Sequence, residues 1–277
     1  MNSKYLIALD LDGTVLHHDA SIDDDLVLAL QKLHAHPDFE LVIATGRSFD
    51  ATLTVVEKLG IRPEWLACSN GAVLYRATRP GGHYGIAKVH TFDPEPLLRK
   101  IKQELPAASL AVESPDGHFY SDGKFETTIL PLRHYHVEFE ILVTFDAVRI
   151  VGVSSGHASK EFIRAIDRLG LHSVTYTVGD SAWLDIVADG INKAVALEPL
   201  RASLGVPRAN VFAAGDGEND IEMIAWAAAE GCGVAMGQGS ADAFEAANFV
   251  TGGITEGGLL QALKGWEPAA RVLAAAA

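Results

Sequence analysis

The sequence predicts an α/β protein whose parallel-sheet core is interrupted by an inserted α+β domain. Three observations carry this. Short uninterrupted apolar runs suit strands covered on both faces, segments of helical period lie between them, and from Thr91 to about Asp189 that alternation breaks down.

Tyr5–Leu9 is the first such run, with no helical period. Asp23–His34 then places Leu26, Leu30 and Leu33 on one helical stripe behind acidic residues that suit a helix N-terminus. Phe39–Ala44 reads as a second strand, Phe49–Leu59 as a second helix closed by Gly60, and Trp65–Cys68 as a third strand. Pro80–Gly85 is turn chemistry. Beyond it a helix is expected at Glu95–Glu104 and strands at Ser109–Val112, His118–Ser121, Val148–Ser154, Ser173–Thr177 and Trp183–Val187, with a further helix at Ser159–Leu169. After Asn192 the alternation resumes: a helix to Leu204, a strand at Asn210–Ala214, a helix at Asn219–Ala229 and a strand at Gly233–Met236. Helices near Ala241–Ala247 and Glu256–Leu263 follow, and the Ala-rich tail is expected to fray. The whole reads as a Rossmann-like core of residues 1–85 and 189–277 with an α+β cap inserted at 86–188.

Composition narrows the function. The formal net charge is −14, and no run of Lys and Arg exceeds two residues, which argues against a nucleic-acid partner that must neutralise phosphates. Two distant cysteines, Cys68 and Cys232, fit a reducing compartment. The apolar run at the N-terminus stops at Asp10, too short for a signal peptide, and no stretch is long enough to span a bilayer. The expectation is a cytoplasmic protein with no membrane partner.

The chemistry-bearing residues fall at strand ends, where ligands of open α/β sheets bind. Asp10-Leu-Asp12-Gly13-Thr14 follows the first strand: two carboxylates two positions apart can converge on one ion or substrate, although Asp-Gly pairs also mark ordinary turns. Thr45-Gly46-Arg47 follows the second strand, where a hydroxyl and free N–H groups can cradle phosphate oxygens or simply start a helix. Gly215-Asp216-Gly-Glu-Asn219-Asp220 offers hard oxygen ligands of the kind Mg²⁺ takes, in more number than a helix cap needs. Lys193 opens a helix whose dipole it opposes, so an ammonium that neutralises phosphate or the nucleophile explains it better than structure does. Asn70-Gly71 is equally a hairpin turn and a candidate substrate contact. His17, His18, Asp116-Gly-His118 and Arg133-His-Tyr135 read as surface turns rather than site residues, and Trp183 as core.

Taken together, these segments resemble the haloacid dehalogenase superfamily, in particular its Cof-type phosphatases with a large α+β cap. Asn70-Gly-Ala72, Gly233-Val-Ala-Met-Gly237, Phe249-Val250-Thr251 and Glu256-Gly257-Gly258 add to the likeness, which covers both core halves and is mostly architectural in the insertion. Ala194, where relatives often have Gly, and the His17-His18 pair depart from the pattern. The resemblance implies Asp10 as nucleophile and Asp12 as general acid/base, with Thr45, Gly46, Lys193 and Asn219 around the phosphate. It implies Mg²⁺ held at Asp10, Asp12 (through its main-chain carbonyl), Asp216 and Asp220, the last acting through water. The implied function is Mg²⁺-dependent hydrolysis of a small phosphorylated metabolite, a sugar phosphate or phosphorylated cofactor, by a monomer whose cap closes over the core. A phosphomutase, a disaccharide-phosphate phosphatase and a non-catalytic phosphate-binding regulator are the alternatives; a receiver-type domain lacks the insertion and the Lys193-to-Asp220 arrangement.

Overall fold

The computed structural model of the protein describes residues 4–79, 82–125, 134–154, 174–178 and 182–275, with backbone alone at 154, 174–178, 182 and 183. Contacts divide the chain into two compact units, Met1–Lys88 with Asn192–Ala277, and Val89–Ile191. The strands are β1 Tyr5–Leu9, β2 Phe39–Ala44, β3 Trp65–Cys68, β4 Val73–Ala77, β5 Tyr84–Val89, β6 Ser109–Glu113, β7 Phe119–Ser121, β8 His134–His136, β9 Arg149–Ser154, β10 Val174–Val178, β11 Ala182–Val187, β12 Val211–Gly215, β13 Cys232–Ala235 and β14 Phe249–Val250. The α-helices are α1 Asp24–Ala35, α2 Phe49–Leu59, α3 Glu95–Glu104, α4 Phe139–Leu142, α5 Lys193–Ser203, α6 Ile221–Ala228, α7 Ala241–Ala246, α8 Gly258–Gly265 and α9 Glu267–Ala274.

In the larger unit the sheet order is β14-β13-β12-β1-β2-β3-β4-β5. The six strands from β14 to β3 are mutually parallel, so their carboxyl ends lie along one edge. Burial explains why these strands read as plain apolar runs: Leu6, Ala8, Val42 and Ala67 pack on Leu197 and Leu200 of α5 and Met223 of α6. Helix α1 buries Leu26, Leu30 and Leu33 as its spacing predicts. No described helix is long and apolar enough to cross a membrane.

In the smaller unit the sheet order is β10-β11-β9-β6-β7-β8. One face carries Leu110, Val112, Ile150, Leu184 and Ile186 against Leu98 and Ile101 of α3 and Leu142 of α4. The opposite face carries Glu113, Arg149 and Asp185: Glu113 stands directly across from Arg149, and Asp185 across from Val151, two residues further along β9.

Four differences from the sequence expectation stand out. Tyr84 and Gly85 belong to β5, not to a turn; the turn itself closes with a Thr78 N–H to His83 carbonyl bond. An antiparallel strand, β4, doubles back on β3 after Asn70-Gly71. The helix expected at Asn219 opens with a tight turn at Glu218–Asp220 and becomes α-helical at Ile221. The tail does not fray over Glu267–Ala274: it forms α9, which packs against α1. Trp266 fixes its start, its ring lying 5.6 Å from Tyr5 and 5.2 Å from Phe212. The helix expected at Ser159–Leu169, Arg133 and the Trp183 side chain lie outside the described residues.

Candidate active site

Each proposed site residue is delivered by a strand end or a helix start. Asp10 follows β1, its N–H bonded to the Ala214 carbonyl so that β1 and β12 stay paired to the edge, and its side chain is 4% exposed. Asp216 follows β12 and reaches over Gly13. A Cβ at Gly13 would lie 2.1 Å from Asp216 Oδ2, and the residue has φ +78°, so only glycine admits both the turn and the carboxylate. Lys193 enters as the first residue of α5 behind Asn192, whose side chain accepts the Val195 N–H. Gly71 lets the β3–β4 connection press against that helix start; a Cβ there would meet the Asn192 carbonyl oxygen at 2.5 Å.

The buried Lys193 ammonium donates to Asp10 Oδ1 at 2.6 Å and Asp220 Oδ1 at 2.5 Å. Asp220 Oδ2 accepts the N–H groups of Asp216 and Gly217 at 3.0 and 2.9 Å, so this carboxylate shapes the loop that carries Asp216. Carboxylate oxygens of Asp10, Asp216 and Asp220 lie within 4.8 Å of one another. Burial, then the Asp220 charge, pushes the Asp10 carboxyl well above the usual carboxylate range, against the pull of Lys193. Burial and Asp220 likewise raise Asp216. Burial works against the Lys193 charge, but Asp10 and Asp220 outweigh it and hold its pKa above the ordinary lysine value. Three carboxylates facing one ammonium leave excess negative charge and oxygen donors of the hard type, and the residues present fit a divalent cation.

The residues expected on the phosphate side meet at the neighbouring strand ends. Thr45 is buried, and its Oγ1 accepts the Arg47 N–H. The 45–47 loop is zipped to the next one by bonds from Asn70 N to Thr45 O and Ser69 N to Arg47 O. Asn219 Nδ2 donates to Asn70 Oδ1 at 2.8 Å, and a Cβ on Gly46 would stand 3.0 Å from that same oxygen. Asn70 has φ +56°, a left-handed conformation that asparagine tolerates; the pair Asn70-Gly71 is thus both the hairpin connection and a member of the site edge. Asp12 points elsewhere: it is exposed, and the Arg47 guanidinium forks onto both its oxygens at 2.8 and 2.6 Å. Among the weaker candidates, His17 bonds Asp23, and Asp116 pairs with His118 within its own turn.

Two contacts at this edge join side chains that the motifs do not pair. Arg47 lies in the Thr45-Gly-Arg motif, but its partner is Asp12, 35 residues away. Gln238, after β13, donates from Nε2 to the Gly13 carbonyl at 2.5 Å and to Asp216 Oδ2 at 3.2 Å, while its Oε1 accepts the Ile254 N–H at 2.9 Å. It braces the Asp216 carboxylate from the far side of the loop.

Residues 7–263 match the family model for haloacid dehalogenase-like hydrolases. The chain is 29% identical over 283 residues to the 5-amino-6-(5-phospho-D-ribitylamino)uracil phosphatase YitU of Bacillus subtilis (strain 168), covering 94% of this chain and 96% of the relative. It is 26% identical over 275 residues to the pyridoxal phosphate phosphatase YbhA of Escherichia coli (strain K12), covering 92% and 96%. Among solved structures, the HAD subclass IIB sugar phosphatase BT4131 superposes with a TM-score of 0.74 at 19% identity, covering 95% of this chain and 99% of that one. With the motif segments gathered at one sheet edge and the family match running through both core halves and the insertion, the chain belongs to the haloacid dehalogenase-like hydrolases, among their phosphatases.

Proposed function

We propose that the protein hydrolyses a small phosphorylated metabolite in two steps through an aspartyl-phosphate on Asp10, with Mg²⁺ as its cation. The observation that carries this is the convergence of Asp10, Asp216 and Asp220 within 4.8 Å around the buried Lys193 ammonium. The Asp10 and Asp216 carboxylates and the Asp12 main-chain carbonyl would hold the ion, with Asp220 beside them. When bound, Mg²⁺ supplies positive charge against the phosphoryl oxygens and offsets the crowding of carboxylates.

The remaining work falls to this chain's own groups. Phosphoryl transfer depends chiefly on positioning and charge stabilisation, which suits a site built from rigid strand ends. An ionised Asp10 oxygen attacks phosphorus and the substrate's alkoxide leaves. Asp12 gives that alkoxide a proton, then takes one from the water that cleaves the aspartyl-phosphate. Lys193 fixes the nucleophile's orientation through its 2.6 Å bond to Asp10 Oδ1. Thr45, Gly46 and Asn219 line the edge where the phosphoryl oxygens would rest. The substrate range we infer covers phosphorylated cofactors, their precursors and sugar phosphates, the classes named for YitU, YbhA and BT4131.

The test is hydrolysis of an aryl phosphate, followed by a panel of metabolite phosphates ranked by kcat/KM. Asp10→Asn should lower turnover by ~10³-fold or more while far-UV circular dichroism stays unchanged, and a chelator should stop the wild type. Undiminished turnover in Asp10→Asn defeats the proposal.

A further inference from the structure

The larger unit gathers charge of the opposite sign at the other end of its strands. Where β2 and β3 begin and β4 ends, a cavity of about 940 Å³ is lined by Arg62, Arg76 and Arg79 against Glu40 and Glu64. No member of the Asp10 cluster borders it. Three guanidiniums around one hollow run against the balance of a chain whose net charge is −14.

Part of this charge is already spent. Arg76 donates from Nε and Nη2 to Glu64 Oε1, both at 2.8 Å, with its guanidinium 4.9 Å from the centre of the Trp65 ring. His34 accepts the Arg62 N–H on Nε2 at 3.3 Å, and burial lowers its pKa, so it adds no charge. Arg62 and Arg79 are left, and the turn between β4 and β5 sets both. Arg62 forks onto the Gly82 carbonyl from Nε and Nη2 at 3.2 and 3.0 Å. A Cβ on Gly82 would lie 2.5 Å from Arg79 Cγ, so glycine is what lets the arginine stem lie against the turn. Thr78 closes that turn with two bonds to the His83 carbonyl, from its N–H and from its Oγ1, each at 2.8 Å. The Arg62 fork leaves Nη1 unspent, and the Arg79 side chain has no hydrogen bond or ion pair among the described residues. Two positive charges without a counter-charge thus stand on one braced turn. The rest of the lining includes Leu41, Ala77, Ile86 and Ala87, and Ile86 is 46% exposed, an apolar side chain left uncovered beside the arginines.

We propose that this cavity is a second ligand site, separate from the Asp10 edge, which takes a phosphorylated organic molecule of about nucleotide size, its phosphate on Arg62 and Arg79 and its body on the apolar wall beside Leu41 and Ile86. Charge and size select that class. Two unspent guanidiniums match a phosphate dianion better than a single carboxylate, and each fork suits paired phosphate oxygens. The volume lies near the upper end of the ~300–1,000 Å³ typical of small-molecule sites, far more than inorganic phosphate fills. The inference does not depend on the reaction assigned to Asp10.

The experiment is calorimetric titration of ADP into protein stripped of metal with EDTA, because without a cation the crowded carboxylates of the Asp10 edge repel an anion. One ADP per chain should bind with Kd below about 1 mM. Arg79→Ala, which removes no internal bond, should weaken binding by about tenfold with an unchanged melting temperature, and Arg62→Ala by at least as much. Arg79→Lys, which keeps the charge without the fork, should fall between Arg79→Ala and wild type. Adenosine should bind at least about tenfold more weakly than ADP, having lost the charge, and pyrophosphate severalfold more weakly, having lost the body. In amide NMR spectra ADP should shift Arg79, Gly82 and Ile86 and leave Asp10 and Asp216 in place. No binding at about 10 mM ADP, or equal affinity in Arg79→Ala, would overturn the site. Shifts centred on Asp10 would return the anion to the other edge and overturn it too. Citrate binding as tightly as ADP would overturn the choice of a phosphorylated ligand in favour of a polycarboxylate.

Discussion

Each unit of the molecule buries a cluster of carboxylates around one cation, and the two clusters are built on opposite principles. In the larger unit Asp10, Asp216 and Asp220 stand around Lys193, all at the ends of strands or the starts of helices. In the smaller unit Arg149 donates to Glu113 at 2.9 Å and Asp185 at 3.3 Å, all three from within strands of one sheet face. Strand-end groups stand on loops whose backbone can be shaped by glycine and by N–H bonds, so three carboxylates can be crowded together and an oxygen left for a ligand. Mid-strand groups are set by register: β6 and β9 put Glu113 opposite Arg149 whether or not anything binds. Buried charge by itself therefore marks no active site. What sets the larger unit's cluster apart is three carboxylates to one ammonium, carried at strand ends and helix starts.

The largest effect expected is on the smaller unit. Burial raises the Asp185 carboxyl and Arg149 pulls it back, while Arg149 itself stays charged because Asp185 and Glu113 outweigh its burial. Arg149→Ala leaves two buried carboxylates without their guanidinium and should cost about 3–5 kcal/mol in chemical denaturation. The stranded carboxyls should titrate at higher pH in the folded variant than in its unfolded chain, so the deficit should be smaller at pH 5 than at pH 8. A loss under about 1 kcal/mol would show that the network is dispensable and would erase the distinction drawn between the two clusters.

In the larger unit the corresponding test is a brace rather than a counter-ion. Gln238 ties Asp216 Oδ2 to the Gly13 carbonyl and to the Ile254 N–H, which orients the carboxylate that the proposed Mg²⁺ would need. Residues of this kind typically contribute ten- to a hundredfold to metal affinity. Because Gln238 is exposed, Gln238→Ala should weaken Mg²⁺ binding by about tenfold, measured by calorimetry, while the melting temperature of the metal-free protein barely moves. Loss of stability without loss of metal affinity would place Gln238 with the structural groups instead.

Legibility in the sequence follows the same division. Strands β1 to β3 are plain because covered parallel strands need apolar residues on both faces, and the residues after them (Asp10 and Thr45) are polar where the chain leaves the core. Asp216, Asp220 and Lys193 were readable for the same reason, each at a boundary between elements. Strand β5 was not: from Ile86 to Val89 it is exposed and shows no burial pattern to read. Nor was α9, since its anchor is Trp266 against Tyr5 and Phe212, aromatic partners far away in sequence. Among site groups, the Arg47 grip on Asp12 and the Gln238 grip on Asp216 arise only when separate strand ends meet, 35 and 22 residues apart. Asn70 stayed divided between hairpin turn and substrate contact, because a left-handed asparagine before glycine serves the turn equally well.

The smallest effect separates the two edges of the large sheet. Opposite the edge that carries Asp10, the cavity of about 940 Å³ opens between β2, β4 and β5, lined by His34, Glu40, Arg62, Glu64, Arg76 and Arg79. It is roomier than anything required by the chemistry, yet it brings no metal-facing carboxylate cluster and no nucleophile together, and we assign the reaction to the other edge. Its one perturbed carboxyl is Glu40, pushed from 4.5 up to about 7 by burial and then by the charge of Glu64. A carboxyl raised on folding binds its proton more tightly in the folded protein, so its contribution to stability is full below about pH 4.5 and is lost as pH rises to about 7. Glu40→Gln should therefore match wild type near pH 4.5 and exceed it at pH 8 by on the order of 1 kcal/mol, a figure kept small because the side chain still touches solvent. Its kcat for aryl phosphate should not change. A stability gain independent of pH would trace the effect to packing, and a change in kcat would tie the two edges together after all.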